Sequence, residues 1–304
     1  MSDQTSALPM RGSHAVPRRS WAIPQGLSYT ILSLVLIAFV LVAPTIYGFI
    51  YSLYNIVYMV PTNFIGFGNY IRLFANPDLH TIVIRSVFFT AVAVAMTLVC
   101  ALAIAIWLDR LNHRLGLLIQ ILIIIPWIIS HVVGALLFRW VFVNDIGFFI
   151  YSLDQLGIHN IKPLEDPTVA MALLIGYACW RTLGFAILMF LAGLKSIPKE
   201  LFEAASVDGA SDWQTFRNIT MPMLRTPFMI TLVMLTVSNL NNVEAPLIVT
   251  GGGPADATNI VPLELYMRAF ERFDFNIAAP LGISVFAVNV LFAVVYVSLV
   301  KRNA

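Results

Sequence analysis

The chain has 304 residues, of which 59% are hydrophobic and only 11% are charged. A composition so poor in charge excludes an ordinary soluble domain and indicates an integral membrane protein. The formal net charge of +2 is too small to indicate a nucleic-acid partner.

Several apolar stretches are each long enough to cross a bilayer as a helix, which takes about 20 apolar residues. They predict an all-α membrane protein with spans at Leu27–Leu53, Ile82–Leu108, Leu117–Phe142, Thr168–Leu194, Pro227–Thr250 and Ala278–Val300. Residues 1–26 are polar and contain proline, serine and arginine, and we interpret them as a cytoplasmic tail. The predicted transmembrane domain is therefore 27–302.

Basic residues predict the orientation of these spans, because lysine and arginine are enriched in cytoplasmic loops. An N-terminus inside the cell places the majority of the 18 basic residues on the cytoplasmic side. They are Arg11, Arg18, Arg19, Arg110, Arg114, Lys195, Lys199, Arg217, Arg225, Lys301 and Arg302. We therefore expect both termini in the cytoplasm, together with the polar interval 195–226 between spans 4 and 5.

The polar interval 195–226 has the pattern of a helix–turn–helix. Pro198 suits a first helical turn, and Asp208-Gly209 supplies a turn at the end of that helix. A second helix is expected at once, because Ser211-Asp-Trp-Gln214 has the form of a capping box. From the residues alone two interpretations stay open. The helix–turn–helix is either an interfacial hairpin that lies on lipid headgroups or a protruding surface that binds a soluble partner.

Polar side chains inside the spans are costly in lipid, so each is a functional candidate. Asn239 and Asn242 are three residues apart and are expected to share one helical face. They either join helices by hydrogen bonds or bind a solute, and the same choice holds for Asn289. Arg181 lies near the middle of the fourth span. It requires either an ion pair with Glu244, backbone carbonyls, or an anionic group on a solute.

Catalytic motifs are missing from the sequence. There is no Gly-Lys pair and hence no phosphate-binding loop of the Walker type. Histidine and cysteine do not occur at metal-ligand spacing, so no metal site is expected. We therefore expect that the chain is not an enzyme and that its energy source is a partner.

One motif in the polar interval resembles a known family. Glu203-Ala-Ala205, three residues, Gly209, nine residues and Ile219-Thr-Met-Pro222 resemble the EAA motif of permeases in binding-protein-dependent ABC importers. Met221 departs from the motif, where leucine is usual. The resemblance runs from about residue 44 to residue 302 and includes Asn76-Pro-Asp78, Ile125-Pro-Trp127, Leu191-Ala-Gly-Leu-Lys-Ser-Ile-Pro198 and Thr250-Gly-Gly-Gly-Pro254. The subfamily it resembles takes up carbohydrates and includes the maltose-type and glycerol-3-phosphate-type permeases.

The resemblance implies two sets of functional residues. Those expected to couple to an ATPase are Glu203, Ala204, Ala205, Asp208 and Gly209. Those expected at the solute are Trp127, His131, Arg181, Thr182, Phe185, Asn239 and Asn242. Small or apolar residues at other aligned positions, such as Ala178, imply that the solute is not maltose itself.

The resemblance also implies partners and a mechanism. We expect a permease subunit in a bacterial-type cytoplasmic membrane, working by alternating access on a carbohydrate or an anion-bearing derivative. Its partners would be a homologous second permease, two copies of a cytoplasmic ABC ATPase that holds ATP and Mg²⁺, an extracytoplasmic solute-binding protein and membrane lipid. No cofactor is expected in the chain itself. The alternatives are an ABC permease for a non-sugar solute and a stand-alone secondary transporter.

Overall fold

The computed structural model describes residues 25–144, 146–159 and 161–301. The predicted cytoplasmic tail lies outside the described residues except for its last two positions. The chain divides into two compact units, with the boundary between Tyr47 and Gly48. All the candidate site residues belong to the second unit.

Helices make up most of the described chain. In chain order the α-helices are α1 (Gln25–Ile37), α2 (Ala43–Ser52), α3 (Gly68–Ala75), α4 (Pro77–Asp109), α5 (His113–Ile128), α6 (His131–Phe142), α7 (Phe148–Gln155), α8 (Pro167–Lys195), α9 (Lys199–Val207), α10 (Asp212–Thr215), α11 (Met221–Met223), α12 (Arg225–Asn241), α13 (Val261–Tyr266) and α14 (Phe275–Lys301). π-Helical turns extend or join them at Ala38–Val42, Phe216–Thr220, Pro246–Thr250 and Met267–Glu271.

Four helical segments of the described chain are long and apolar enough to cross a membrane without a break. They are Thr30–Ser52, Pro77–Asp109, Pro167–Lys195 and Phe275–Tyr296. Two bent helix pairs raise the number to as many as six, if each pair forms one span. This arrangement confirms the predicted all-α membrane fold.

Two of the predicted spans are not continuous helices. The third consists of α5 and α6, which are bent by 101° at Ile129-Ser130. The fifth is interrupted at Asn242 and Val243, before the π-helical turn Pro246–Thr250. The sequence does not reveal these breaks, because an apolar stretch has the same composition whether or not its backbone hydrogen bonds are continuous.

Spans 2 and 4 begin with the same capping arrangement. The Asn76 side chain accepts a hydrogen bond from the Asp78 N–H at 2.9 Å, and Pro77 occupies the first helical position. At the start of α8, the Asp166 carboxylate accepts from two backbone N–H groups, at 2.8 and 2.9 Å, and Pro167 follows it. Each cap satisfies amide donors that a helix N-terminus leaves without partners, so both helix starts are fixed locally.

A small antiparallel hairpin, which the sequence did not predict, follows the first span. Strands β1 (Tyr54–Val57) and β2 (Val60–Phe64) pair around a two-residue turn, with Val57 opposite Val60. Asn276, in the first turn of α14, exchanges hydrogen bonds with the backbone of Ile56 at 2.8 and 2.9 Å. The hairpin is therefore anchored to the start of the last span.

The core lies mainly between α4 and α8, which share the largest helix interface. Fully buried alanines, among them Ala93, Ala101 and Ala105 of α4 and Ala186 of α8, let the two backbones approach closely. These two helices, together with α12, form the frame on which the candidate sites are built.

Candidate functional site

The first helix of the polar interval ends in a left-handed turn at Gly209, whose φ is +74°. The Ala210 N–H donates to the Ala205 carbonyl at 2.9 Å, as in a Schellman C-cap. Glycine is favoured at this φ because it has no Cβ. A Cβ added at Gly209 would meet nothing within 4 Å. Within the chain itself, glycine therefore serves the backbone conformation and is not needed to avoid a clash.

The second helix of the interval begins at the predicted capping box. The Ser211 hydroxyl accepts from the Gln214 N–H at 3.3 Å, and the Gln214 side chain accepts from the Ser211 N–H at 2.8 Å. Helical structure continues to Met223 and bends by 65° into α12. The predicted helix–turn–helix is present, and its second helix leads directly into the fifth span.

The helix–turn–helix has an exposed side and a side packed on the core. Four of the predicted coupling residues are exposed and one is half-buried; they are Glu203, Ala204, Asp208 and Gly209, and then Ala205. Val207 and Trp213 are also exposed, by 88% and 67%. Phe202 and Ile219 instead pack against the core formed by α4, α8 and α12. Large apolar side chains exposed beside charged ones are typical of an interaction surface.

An aromatic pair lies beside the bend in the third span. Trp127, in the last turn of α5, stacks on Phe185 of α8, with 5.5 Å between ring centroids and 22° between ring planes. Trp127 keeps 45% of its surface exposed. Its ring can therefore pack against a further flat apolar surface, such as one face of a ligand.

The two interrupted spans are joined at their breaks by His131 and Asn242. The Asn242 Nδ2 lies 3.2 Å from His131 Nδ1. The Asn242 Oδ1 accepts from the Ala245 N–H at 2.8 Å, which fixes the orientation of the amide. The amide nitrogen can only donate, so His131 Nδ1 is the acceptor and the neutral ring carries its proton on Nε2. That N–H is the donor that the ring has available for a ligand.

Arg181 is buried, with 6% of its surface exposed, and donates a hydrogen bond to the Pro126 carbonyl. Its Nε is buried and has no hydrogen-bond partner among the described residues. The described residues form no ion pair between Arg181 and Glu244. Of the three partners that the sequence left open for Arg181, the structure therefore shows a backbone carbonyl, that of Pro126.

Thr182, the neighbour of Arg181, is also buried. Its hydroxyl donates to the Ala178 carbonyl one helical turn earlier, at 2.8 Å. Thr182 is thus satisfied within its own helix. It lies beside the other predicted solute residues of α8 without adding a free polar group to them.

Asn239 does not join this cluster. Its amide donates to the Leu235 carbonyl at 2.9 Å, and it lines a separate cavity of about 280 Å³ between α4, α12 and α14. The expected common face of Asn239 and Asn242 is absent because α12 ends at Asn241. Asn242 has an extended backbone, with φ −82° and ψ 111°. Helical spacing therefore does not apply between the two asparagines.

Asn241 forms a reciprocal amide pair with Asn289 of α14. Each side chain donates to the carbonyl oxygen of the other at 3.0 Å. Such a pair joins α12 to α14, so the structure favours the helix-joining interpretation of Asn289.

A charged cluster holds the loop between spans 5 and 6. Glu264 is only 1% exposed and accepts hydrogen bonds from Asn259 at 2.8 Å and from Arg268 at 2.7 Å. Arg272 lies 3.5 Å from the same carboxylate. Burial by itself would raise the pKa of Glu264, but the hydrogen bonds from Asn259 and Arg268 and the two positive charges hold the pKa below its ordinary value.

Most of the chain matches a known family. Residues 101–304 match the model of the binding-protein-dependent transport system inner membrane component. The chain belongs to this family. The permease is therefore a multi-pass inner-membrane component of an importer that works with a binding protein. It is not itself an enzyme and carries no cofactor, because ATP hydrolysis belongs to a separate subunit. Family membership also excludes the stand-alone secondary transporter.

Relatives and a solved structure align with the permease over most of their length. The sulfoquinovosyl glycerol transport system permease protein of Agrobacterium fabrum is 29% identical, over 86% of the permease and 84% of its own chain. The trehalose/maltose transport system permease protein of Thermococcus litoralis is 30% identical, over 88% and 89%. A chain in the crystal structure of a bacterial alginate ABC transporter, in complex with alginate pentasaccharide-bound periplasmic protein, superimposes with a TM-score of 0.76. At 20% identity, over 91% of the permease and 94% of that chain, this likeness shows the fold.

Two residues that contact the third span near the site, Tyr177 and Gly184, were not predicted from the sequence. The Tyr177 hydroxyl donates to the His131 carbonyl at 3.1 Å. Gly184 lies against the α5 backbone, where an added Cβ would be 2.9 Å from Ile124 Cα. The signal available in the sequence was a glycine inside an apolar span, which often marks a close approach of two helices.

Proposed function

We propose that the permease imports a carbohydrate or a carbohydrate derivative. The observation that carries the proposal is the arrangement at the bend of the third span. There the Trp127–Phe185 pair offers an aromatic face at the end of α5, and His131 and Asn242 offer polar groups at the start of α6. A sugar ring presents an apolar face and a set of hydroxyl groups, and this combination of an exposed aromatic ring with amide and imidazole groups matches both. The relatives named for sulfoquinovosyl glycerol and for trehalose/maltose support the same class of solute.

The proposed assembly contains a homologous second permease, two copies of a cytoplasmic ABC ATPase that binds ATP and Mg²⁺, and an extracytoplasmic solute-binding protein. Both termini of the permease lie in the cytoplasm in this arrangement, with the helix–turn–helix on the same side. Glu203, Ala204, Ala205, Asp208 and Gly209 then contact the ATPase. Their exposure, and that of Val207 and Trp213, supports this role.

The proposed mechanism is alternating access. Closure of the ATPase dimer on ATP displaces α9. The second helix of the helix–turn–helix transmits the movement to α12, because it continues into that span through a single bend. The break at Asn242 then lies at the end of the moving helix, next to His131. Solute enters from the binding protein while the site is open outward, and ATP hydrolysis returns the site to the inward-facing state.

An acidic carbohydrate derivative is the second candidate solute, in place of a neutral sugar. The specific observation that favours it is the Nε of Arg181, a buried cationic donor without a partner among the described residues. One solved structure with the same fold, at 20% identity and a TM-score of 0.73, is that of a bacterial ABC transporter involved in the import of the acidic polysaccharide alginate.

Uptake by the complete importer tests the proposal. The complex is reconstituted in lipid vesicles with its ATPase and binding protein, and the uptake of radiolabelled trehalose and of a radiolabelled glucuronide is measured. We expect ATP-dependent uptake of at least one of these probes. We also expect that Asn242→Leu raises the concentration for half-maximal uptake, because the variant loses the amide beside His131. Loss of complex assembly in Asn242→Leu, or exclusive transport of inorganic ions, would contradict the proposal.

A further inference from the structure

The bend in the third span leaves backbone acceptors that have no donor in their own helix. The Pro126 carbonyl belongs to the last turn of α5, where carbonyl groups have no donor in their own helix. In lipid, such groups must be satisfied by other parts of the protein. A bend of 101° inside a predicted span therefore requires a supporting element from outside that span.

One face of α8 contacts the third span on both sides of the bend. Tyr177, Arg181 and Gly184 are spaced by four and three residues, so they lie on the same side of the helix. Arg181 donates to the Pro126 carbonyl before the bend, and the Tyr177 hydroxyl donates to the His131 carbonyl after it.

Gly184 belongs to the same face of α8, and it has no side chain at the point where the α5 backbone passes close to it. A Cβ built at Gly184 would overlap the Ile123 carbonyl oxygen and lie 2.9 Å from Ile124 Cα. Both of those neighbours are backbone atoms, so the overlap could be relieved only by moving α5. Gly176, two turns earlier on α8, is different, because a Cβ there would meet only the Phe138 ring at 4.0 Å.

We propose that the face of α8 formed by Tyr177, Arg181 and Gly184 positions the bend of the third span, and that Arg181 is a positioning residue for the solute site. Its guanidinium holds the end of α5, where a cation also interacts favourably with the C-terminus of the helix. The bend in turn sets the separation of Trp127 and His131. The inference rests on the proposed solute site, and it assigns Arg181 a role that does not depend on the charge of the solute.

The test compares four variants of the complete reconstituted importer, using the neutral and the acidic probe described above. Arg181→Leu removes the donor to Pro126, and Arg181→Lys keeps a positively charged donor. Gly184→Ala displaces α5 without changing any charge, and Gly176→Ala is the matched control on the same helix. We expect Arg181→Leu and Gly184→Ala to raise the concentration for half-maximal uptake of either transported probe, by about tenfold or more, with assembly retained. Arg181→Lys should restore most of the affinity, and Gly176→Ala should behave like the parent.

A second measurement does not depend on transport. The fluorescence emission of Trp127 is obtained by subtracting the spectrum of the Trp127→Phe variant in each background. We expect Arg181→Leu and Gly184→Ala to shift this emission, since both move the ring relative to Phe185, and we expect no shift in Gly176→Ala. If neither probe is transported by the parent, the carbohydrate proposal fails while the emission still decides the positioning role. A loss confined to the acidic probe in Arg181→Leu, or an unchanged emission in Gly184→Ala, would overturn the positioning role.

Discussion

Gly209 offers a sharp test of the contact between the permease and its ATPase. The residue has φ +74°, and a Cβ there meets nothing within 4 Å in the permease itself. A residue with a Cβ costs roughly 1–2 kcal/mol in left-handed conformation, and asparagine is among those that adopt it most readily. Gly209→Asn should therefore leave the permease folded. Any large loss of function in this variant must then come from a surface that approaches Gly209 in the complex.

The expected size of that loss follows from close packing. Additional side-chain atoms in a well-packed contact cost typically about 1–3 kcal/mol, and about 1.4 kcal/mol corresponds to a factor of ten. We expect Gly209→Asn to lower binding-protein-stimulated ATP hydrolysis and uptake together by about tenfold. The assay measures both rates in the reconstituted complex, with the melting temperature of the purified permease complex as the measure of folding.

Gly157 provides a matched control for Gly209. It has φ +80°, a Cβ there would also meet nothing within 4 Å, and the Ile158 N–H donates to the Leu153 carbonyl at 3.0 Å in the same type of C-cap. Gly157 lies between the third and fourth predicted spans, which the predicted orientation places on the side opposite the proposed ATPase. Gly157→Asn should therefore leave coupled ATP hydrolysis unchanged. Equal, undiminished activity in Gly209→Asn and Gly157→Asn would refute the close approach of the ATPase to Gly209.

Two further predictions concern polar groups outside the proposed solute site. The pKa of Glu264 is held below its ordinary value of 4.5, so its contribution to stability is present above pH 4.5 and is lost as the pH falls through the lower folded value. The melting temperature should therefore decline below pH 4.5, and Glu264→Gln should weaken that dependence; an equally steep decline in the variant would count against the cluster. Asn241→Leu removes the amide pair with Asn289, which should destabilise the permease by about 1 kcal/mol, measured as a lower melting temperature, and leave the half-saturating solute concentration unchanged. A changed half-saturation at constant melting temperature would instead place Asn241 at the solute.

Local features of this protein were determined by the sequence itself. Apolar stretches of about 20 residues indicate membrane helices wherever they occur, and the four unbroken spans follow the predicted positions. The capping box at Ser211 and the turn at Gly209 were also predictable, because each depends on side chains and backbone conformations within a few residues.

The breaks in the third and fifth spans were decided only by the tertiary structure. Backbone groups at the bend of the third span find partners far away in the sequence, since the Pro126 carbonyl accepts from Arg181 and the His131 carbonyl accepts from Tyr177. At the break of the fifth span, the side chain of Asn242 contacts that of His131. The hairpin turn could not be predicted from the sequence either. Its two positive-φ residues are Tyr58 and Met59, and neither is typical of such a turn.

These breaks determined which candidate residues come together. An unbroken helix would have placed Asn239 and Asn242 on one face, whereas Asn239 lines the cavity between α4, α12 and α14 and Asn242 contacts His131. Composition and spacing cannot predict this separation, because a helix tolerates an interruption inside a membrane only where neighbouring segments satisfy the freed backbone groups. Those neighbours are brought into place by the packing of the whole chain, and at the bend of the third span they are Tyr177 and Arg181 of α8.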